Sequence, residues 1–275
     1  KADGTDLIIT VDNGISSIEE AEYIYSLGMQ LIVTDHHQIG ENLPRAEAVI
    51  NPHREDNEIE FRDFAGVGVA FKLACALYDG DVEDLLEDYA DYVTIGTIGD
   101  MVPLLNENRA IVKAGLKLIN TDAKIGISAL KKSTNSKAEH FSATDVAFQI
   151  CPRINAAGRM DTANLAVDLL TCEDNEIAEY KAEQLNLENT HRHEVEEKID
   201  NDIAEIMAND RAYQTDRVIV VAGHNYHKGV IGICAAHLVE LYSKPAIVIG
   251  IDDEGNATGS ARSIDGFNIF EAISS

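Results

Sequence analysis

Three stretches of the chain carry side chains able to do hydrolytic chemistry. The first is Asp35-His36-His37, which follows the apolar run Leu31-Ile32-Val33-Thr34. The second is Asp12-Asn13-Gly14, which closes the run Leu7-Ile8-Ile9-Thr10-Val11 in the same way. Carboxylate oxygens and imidazole nitrogens at neighbouring strand ends suit a divalent ion such as Mn2+ or Mg2+. Each residue also has a plainer reading. An Asp after a strand is often a turn or cap residue, and a single His is often a satisfied structural one. Two strand ends carrying Asp, one of them followed by a double His, point instead to a metal. The third stretch is Gly99-Asp100-Met101-Val102-Pro103-Leu104. Asp100 sits at a forced turn there and is a candidate carboxylate ligand, although a turn former is the simpler reading of that residue alone.

A second set of residues is cationic or hydroxylic. Arg153, Asn155 and Arg159 lie in Cys151-Pro152-Arg153-Ile154-Asn155-Ala156-Ala157-Gly158-Arg159. Guanidinium forks on such a small-residue background can reach a phosphate backbone; tight helix packing with solvated Arg is the alternative. The loop His224-Asn225-Tyr226-His227-Lys228-Gly229 feeds an apolar helix, and a glycine-containing loop at a helix start can hold an anion. Gly259-Ser260-Ala261-Arg262-Ser263 offers hydroxyls and a guanidinium together.

These side chains need elements to hold them. Leu7–Val11, Leu31–Thr34 and Glu47–Ile50 are β-branched-rich and unbroken, as buried parallel strands are. Ser16-Ser17-Ile18-Glu19-Glu20 opens a capped amphipathic helix between the first two. Ligands of open α/β sheets bind beyond the carboxyl ends of the strands, where Asp12, Asp35, His36 and His37 emerge. Residues 66–74 and 89–98 read as helices, the second ending at Gly99-Asp100. The middle of the chain is helical with loops. Residues 173–208 form one long charged helix with an incomplete apolar stripe, Ile177, Leu185, Leu187, Val195, Ile199, Ile203 and Ile206, as in helices that bridge domains. Strands at 217–223 and 244–250 then flank a helix opening at Val230. The spacing predicts an α/β protein with a parallel sheet and a smaller α/β second domain.

The 275 residues carry 48 acidic against 22 basic side chains, a formal net charge of −26. That charge argues against a broad polyanion-binding surface. It leaves room for local anion contacts through metals and a few Arg residues. No apolar stretch is long enough to span a bilayer, and no signal-peptide pattern is present. Cys75, Cys151, Cys172 and Cys234 are scattered without a paired spacing, as buried thiols of a reducing, cytoplasmic protein are.

Taken together, the stretches named above, with His227-Lys228-Gly229-Val230-Ile231-Gly232-Ile233, resemble the DHH phosphoesterase superfamily, and within it the RecJ-type single-stranded-DNA exonucleases. The resemblance spans nearly the whole chain. It implies a DHH domain over residues 1–172, a bridging helix over 173–208 and a DHHA1-type substrate-binding domain over 209–275. It also implies that the family's Asp-x-Asp motif would precede residue 1, and that an oligonucleotide-binding domain would follow the second domain. By resemblance the activity is metal-dependent 5′→3′ hydrolysis of single-stranded DNA, with two Mn2+ or Mg2+ ions. Asp12 would bridge the ions, and His36 and Asp100 would complete one of them. Asp35 would orient its neighbours, and His37 would contact the scissile phosphate. Arg159, Ser260 and Arg262 would hold the terminal 5′ phosphate with His227 and Gly229 nearby, and Arg153 and Asn155 belong to the same substrate-binding set. Single-stranded DNA is the implied partner, with a single-strand-binding protein and a helicase as candidate protein partners and no membrane. Without the Asp-x-Asp motif, this stretch by itself is expected to hold at most one ion and to be nearly inactive. Two alternatives stand beside that reading: an inactive DHH module of a replication or repair complex, and a DHH phosphodiesterase acting on short oligonucleotides.

Overall fold

The computed structural model describes residues 1–160 and 163–274. The chain divides into two compact units, Lys1–Cys151 and Pro152–Ser275.

The first unit begins with a β-α-β arrangement. Strand β1 (Leu7–Val11), helix α1 (Ile18–Ser26), strand β2 (Gln30–Thr34) and strand β3 (Ala48–Ile50) follow in order. The three strands form a parallel sheet in the order β1-β2-β3, with Leu7 opposite Gln30 and Val11 opposite Thr34. Helix α1 packs on β2, burying Ala21 against Leu31 and Val33. The capped start expected for α1 is only partly realised: Ser17 is the N-cap residue, but its hydroxyl makes no capping bond. The burial expected for the first strand also fails. Leu7, Ile9 and Val11 are 42%, 47% and 48% exposed, because β1 is an edge strand and nothing among the described residues covers that face.

Four helices complete most of this unit: α2 (Gly66–Leu77), α3 (Val82–Gly99), α4 (Asn106–Thr121) and α5 (Ile125–Ser133). The carboxylate of Asp81 caps α3 by accepting from the Glu83 N–H. Helices α3 and α4 approach closely at Gly115, where a Cβ would stand 2.0 Å from the Ala90 carbonyl oxygen. Buried Asp91 of α3 accepts from Lys124, the N-cap residue of α5, at 3.2 Å. A short turn α6 (Ala143–Asp145) and a π-helical stretch at Val146–Ile150 lead into α7 (Cys151–Met160). The sequence carried no sign of that π-helix.

The second unit holds α8 (Asn164–Leu170), the long α9 (Asn175–Asn209), α10 (Ala212–Thr215), β4 (Ile219–His224), α11 (Ile231–Tyr242), β5 (Ala246–Ile251), β6 (Ala257–Arg262) and α12 (Ile269–Ser274). Asp174 caps α9, accepting from the Ile177 N–H at 2.9 Å. Of the apolar positions read along α9, Leu185, Ile199 and Ile203 are buried, whereas Ile177 and Leu187 are exposed. Strands β4 and β5 are parallel, and β6 is antiparallel to β5. Their core joins Ile219, Val221 and Val248 to Val230, Ile231, Cys234 and Leu238 around α11 and to Ile199 and Ile203 of α9. All four cysteines are free thiols. No helix among the described residues is long and apolar enough to cross a membrane.

Candidate functional site

The first unit gathers Asp12, Asp35, His36, His37 and Asp100 at one end of its sheet. Parallel pairing of β1 with β2 sets Val11 beside Thr34, so the residues that follow each strand are neighbours. The Asp12 N–H donates to the Thr34 carbonyl at 3.0 Å, which draws the two strand ends together. Asp12 has φ +64°, a left-handed conformation that costs a non-glycine residue energy and marks a constrained position.

Asp35 is almost fully buried and works as an acceptor throughout. Its Oδ2 accepts the Ile15 N–H at 2.9 Å. Its Oδ1 accepts the His36 and His37 N–H groups at 2.8 and 3.2 Å, and lies 2.7 Å from His37 Nδ1. Burial opposes ionisation of this carboxyl, but the donor bonds outweigh it and hold the group below its usual range. In return the Asp35 carboxylate raises His37 above the ordinary imidazole range, against a smaller opposing effect of burial. With Nδ1 tied to Asp35, the exposed His37 ring presents its Nε2 outward.

His36 is arranged differently. Its ring is mostly buried, its Nε2 lies 3.1 Å from Asp12 Oδ1 and 3.4 Å from Asp100 Oδ2, yet that nitrogen has no hydrogen-bond partner among the described residues. Two carboxylates thus converge on an unsatisfied buried nitrogen. Burial raises the Asp100 carboxyl above its usual range, the His36 ring opposes that shift and the Asp12 charge adds to it. A cation placed among these groups would reverse that logic. The O/N donor set fits Mn2+ or Mg2+, and Gly66 leaves the space, since a Cβ on it would stand 2.1 Å from Asp12 Oδ1.

Two residues important to this geometry were given no role in it from the sequence. Asn51, buried at the end of β3, donates through Nδ2 to the His37 carbonyl at 2.9 Å and accepts the His53 N–H at 2.8 Å. It therefore clamps the Asp35-His36-His37 loop. Gly66, at the start of α2, meets Asp12 only in the folded chain. A polar residue directly after a short apolar strand was the one available hint for Asn51.

The second unit gathers the cationic set. Arg159 Nη1 donates to the Gly229 carbonyl at 3.1 Å. A Cβ at Gly229 would come within 2.1 Å of the Arg159 carbonyl oxygen, so the two segments touch backbone to backbone. His227 Nδ1 accepts the Gly229 N–H at 3.2 Å, and its carbonyl accepts the N–H groups of Val230 and Ile231 at the entry to α11. Arg262 Nη1 donates to Ser260 Oγ at 3.3 Å. Gly232 of α11 lies against that pair, with a Cβ there 3.0 Å from Ser260 Oγ and 3.1 Å from Arg262 Nη2. Loss of hydration lowers Arg159, and the charges of Arg192 and Arg262 lower it further. Arg192, on α9, was not singled out in the sequence because it lies in a run of ordinary helix charges. Arg153 takes another direction, with Nε donating to Asn186 of α9 at 3.0 Å. Asn155 is exposed on α7.

Comparison with known proteins matches both units. Residues 3–97 match the model of the DHH family, N-terminal domain, and residues 215–275 match the DHHA1 domain. The chain belongs to the DHH family. Over its whole length it is 42% identical to a single-stranded-DNA-specific exonuclease RecJ of Bacillus subtilis, covering 34% of that protein. It is 36% identical over 99% of its length to the Escherichia coli RecJ, covering 50% of that protein. A crystal structure of RecJ in complex with Mn2+ from Thermus thermophilus superposes with a TM-score of 0.83 and 33% identity, covering 99% of this chain and 40% of the other. Another, of exonuclease RecJ bound to manganese, gives a TM-score of 0.81 and 32% identity, covering 99% and 66%. The chain thus spans between a third and a half of these curated relatives.

Proposed function

We infer that the chain supplies the catalytic portion of a metal-dependent exonuclease that degrades single-stranded DNA from its 5′ end. The observation that carries this reading is the buried, unpartnered His36 Nε2 between the carboxylates of Asp12 and Asp100. Relatives at 42% and 36% identity named single-stranded-DNA-specific exonuclease support the substrate class, and structures of such relatives with Mn2+ and Mg2+ support the ion.

Asp12, His36 and Asp100 are the residues that hold the metal, Mn2+ or Mg2+. Divalent ions at such a site supply Lewis acidity and charge neutralisation to a phosphoryl group. Asp35 fixes the His37 ring through Nδ1 and favours its protonated form, in which Nε2–H donates to a phosphate oxygen. Arg159, Ser260 and Arg262 hold a terminal 5′ phosphate, with His227 and Gly229 shaping the loop beside them. Arg153 and Asn155 contact the strand or steady α7 for those that do. Repulsion among Arg159, Arg192 and Arg262 is relieved when a phosphate enters, which favours an anion there. A single-strand-binding protein and a helicase are the partners that such an activity calls for.

The test is cleavage of 5′-labelled single strands by the full-length protein with Mn2+, alongside His36→Ala. Loss of several orders of magnitude in rate with an unchanged circular dichroism spectrum is expected. Turnover near the parent rate would refute the metal role. Cleavage of short oligonucleotides only, with long strands untouched, would favour the oligonucleotide phosphodiesterase reading.

A further inference from the structure

The second unit carries another group of metal-ligating side chains, on α9 and α11. Glu196 and Asp200 stand one turn apart on α9, and His237 faces them from α11. One ligand atom from each lies within 4.8 Å of the other two. His237 Nδ1 is 2.8 Å from Asp200 Oδ2, and its Nε2 is 3.5 Å from Glu196 Oε1. The Glu196 side chain is only 12% exposed. Its other oxygen is already committed, accepting from Arg192 Nη1 at 2.6 Å, which leaves Oε1 turned toward the imidazole.

Two features around the group shape it further. Cys234, one turn before His237 and fully buried, has its thiol hydrogen-bonded to Asp200. Asp200 and His237 also line a cleft of about 320 Å³ between the two helices, with Met207 and Leu241 on its apolar side. The group therefore has a buried ligand, a carboxylate held in place from behind and a cleft that reaches Asp200 and His237.

We propose that Glu196, Asp200 and His237 bind a divalent transition-metal ion of the Zn2+ kind, which ties α9 to α11. One imidazole and two carboxylates are a donor set that late first-row ions bind more tightly than Mg2+ does. Around Zn2+, donors at about 2.1 Å in a tetrahedron stand roughly 3.4 Å from one another. The Glu196 Oε1–His237 Nε2 pair already has that spacing; Asp200 Oδ2 sits on the other ring nitrogen, 2.8 Å from Nδ1, and must leave it to supply the third oxygen. Water completes the shell. The site is built wholly within the second unit and does not depend on the nuclease reading.

The test begins with the chelator-treated chain carrying His36→Ala, which removes a metal donor of the first unit. Calorimetric titration with Zn2+ is expected to show one site per chain, and zinc is expected to raise the melting temperature by mass action. Co2+ in place of Zn2+ is expected to give the visible absorption of a low-coordinate N/O site. His237→Gln and Asp200→Asn should each weaken Zn2+ binding by about 100-fold and remove the cobalt spectrum, with circular dichroism unchanged. Asp200→Asn is isosteric and keeps the test decisive where His237→Gln does not fold. Absence of a stoichiometric zinc site in the His36→Ala chain would overturn the proposal. So would an unchanged affinity in the variants, in which case the cluster is an interhelical charge network alone.

Discussion

Replacing Gly66 by alanine should disable the proposed metal site from a residue that binds nothing. Gly66 is the first residue of α2, and a Cβ there would lie 2.1 Å from Asp12 Oδ1, 2.4 Å from its Cγ and 2.5 Å from its Cβ. Carbon atoms in contact sit about 3.7 Å apart, so the Asp12 Cβ would have to retreat by roughly 1.2 Å. Rotation of the carboxylate cannot relieve a clash at Cβ, and the Asp12 backbone is already in the left-handed region at φ +64°. Metal ligands tolerate distance errors of about 0.2 Å, and a misplacement near 1 Å costs on the order of 100-fold in rate. We therefore expect Gly66→Ala to weaken Mn2+ binding, and Mn2+-dependent cleavage by the full-length protein, by about 100-fold. Overpacking of this kind costs about 1–3 kcal/mol, so the protein should stay folded at 25 °C. Calorimetry with Mn2+ and thermal melts followed by circular dichroism measure the two effects separately. Gly68→Ala is the control: its Cβ would meet Phe64 Cδ1 at 3.2 Å, a ring able to yield, and it should leave metal affinity unchanged. A Gly66→Ala protein that binds Mn2+ as tightly as the parent would refute the reasoning.

Arg262→Ala should cost about 10- to 100-fold in rate on 5′-phosphorylated strands and much less on 5′-hydroxyl strands, since charge-assisted hydrogen bonds contribute about 1.5–3 kcal/mol; equal losses would assign the residue to the backbone or the fold. Gly115→Ala should destabilise the first unit in spite of the better helix propensity of alanine. Its Cβ would overlap the Ala90 carbonyl oxygen at 2.0 Å, which no side-chain rotation relieves, and a cost of about 3 kcal/mol lowers the melting temperature by roughly 6–12 °C; an unchanged or higher melting temperature would count against the packing described. Burial pushes the Cys151 thiol up to about 11, so at pH 8.5 only about 0.3% of it is thiolate. Native Cys151 should resist iodoacetamide there and react once the chain is unfolded, as mass-spectrometric mapping can show. Because its folded value is raised, the stability linked to this thiol is intact below the ordinary thiol range and is lost as pH climbs through about 11; rapid labelling of the native protein at pH 8.5 contradicts this.

Much of the site could be read from local pattern. Unbroken β-branched runs make parallel strands, and a parallel strand delivers the residue after it to the carboxyl edge of the sheet. Asp12 and Asp35-His36-His37 were therefore placed at that edge by local pattern, whereas Asp100 read alone as a turn former and joined them only through the family resemblance. What the sequence left open was the division of labour among these residues. Asp35 is saturated by the N–H groups of Ile15, His36 and His37, whereas His36 Nε2 faces two carboxylates and has no hydrogen-bond partner among the described residues. That distinction depends on how the loop is clamped by Asn51 from β3 and how Gly66 makes room at α2, contacts between segments far apart in the chain. For the same reason the sequence placed Arg153 with Arg159, although packing of α7 ties Arg153 to Asn186 and brings Arg192 toward Arg159 instead. The antiparallel strand β6 was also missed, since Ala257-Thr258-Gly259-Ser260-Ala261-Arg262 has little strand propensity of its own and is drawn into the sheet by pairing with β5. Backbone sterics and hydrophobic period act within a few residues and are written in the sequence. Which side chains meet across long separations is decided by close packing, and only the folded chain reveals it.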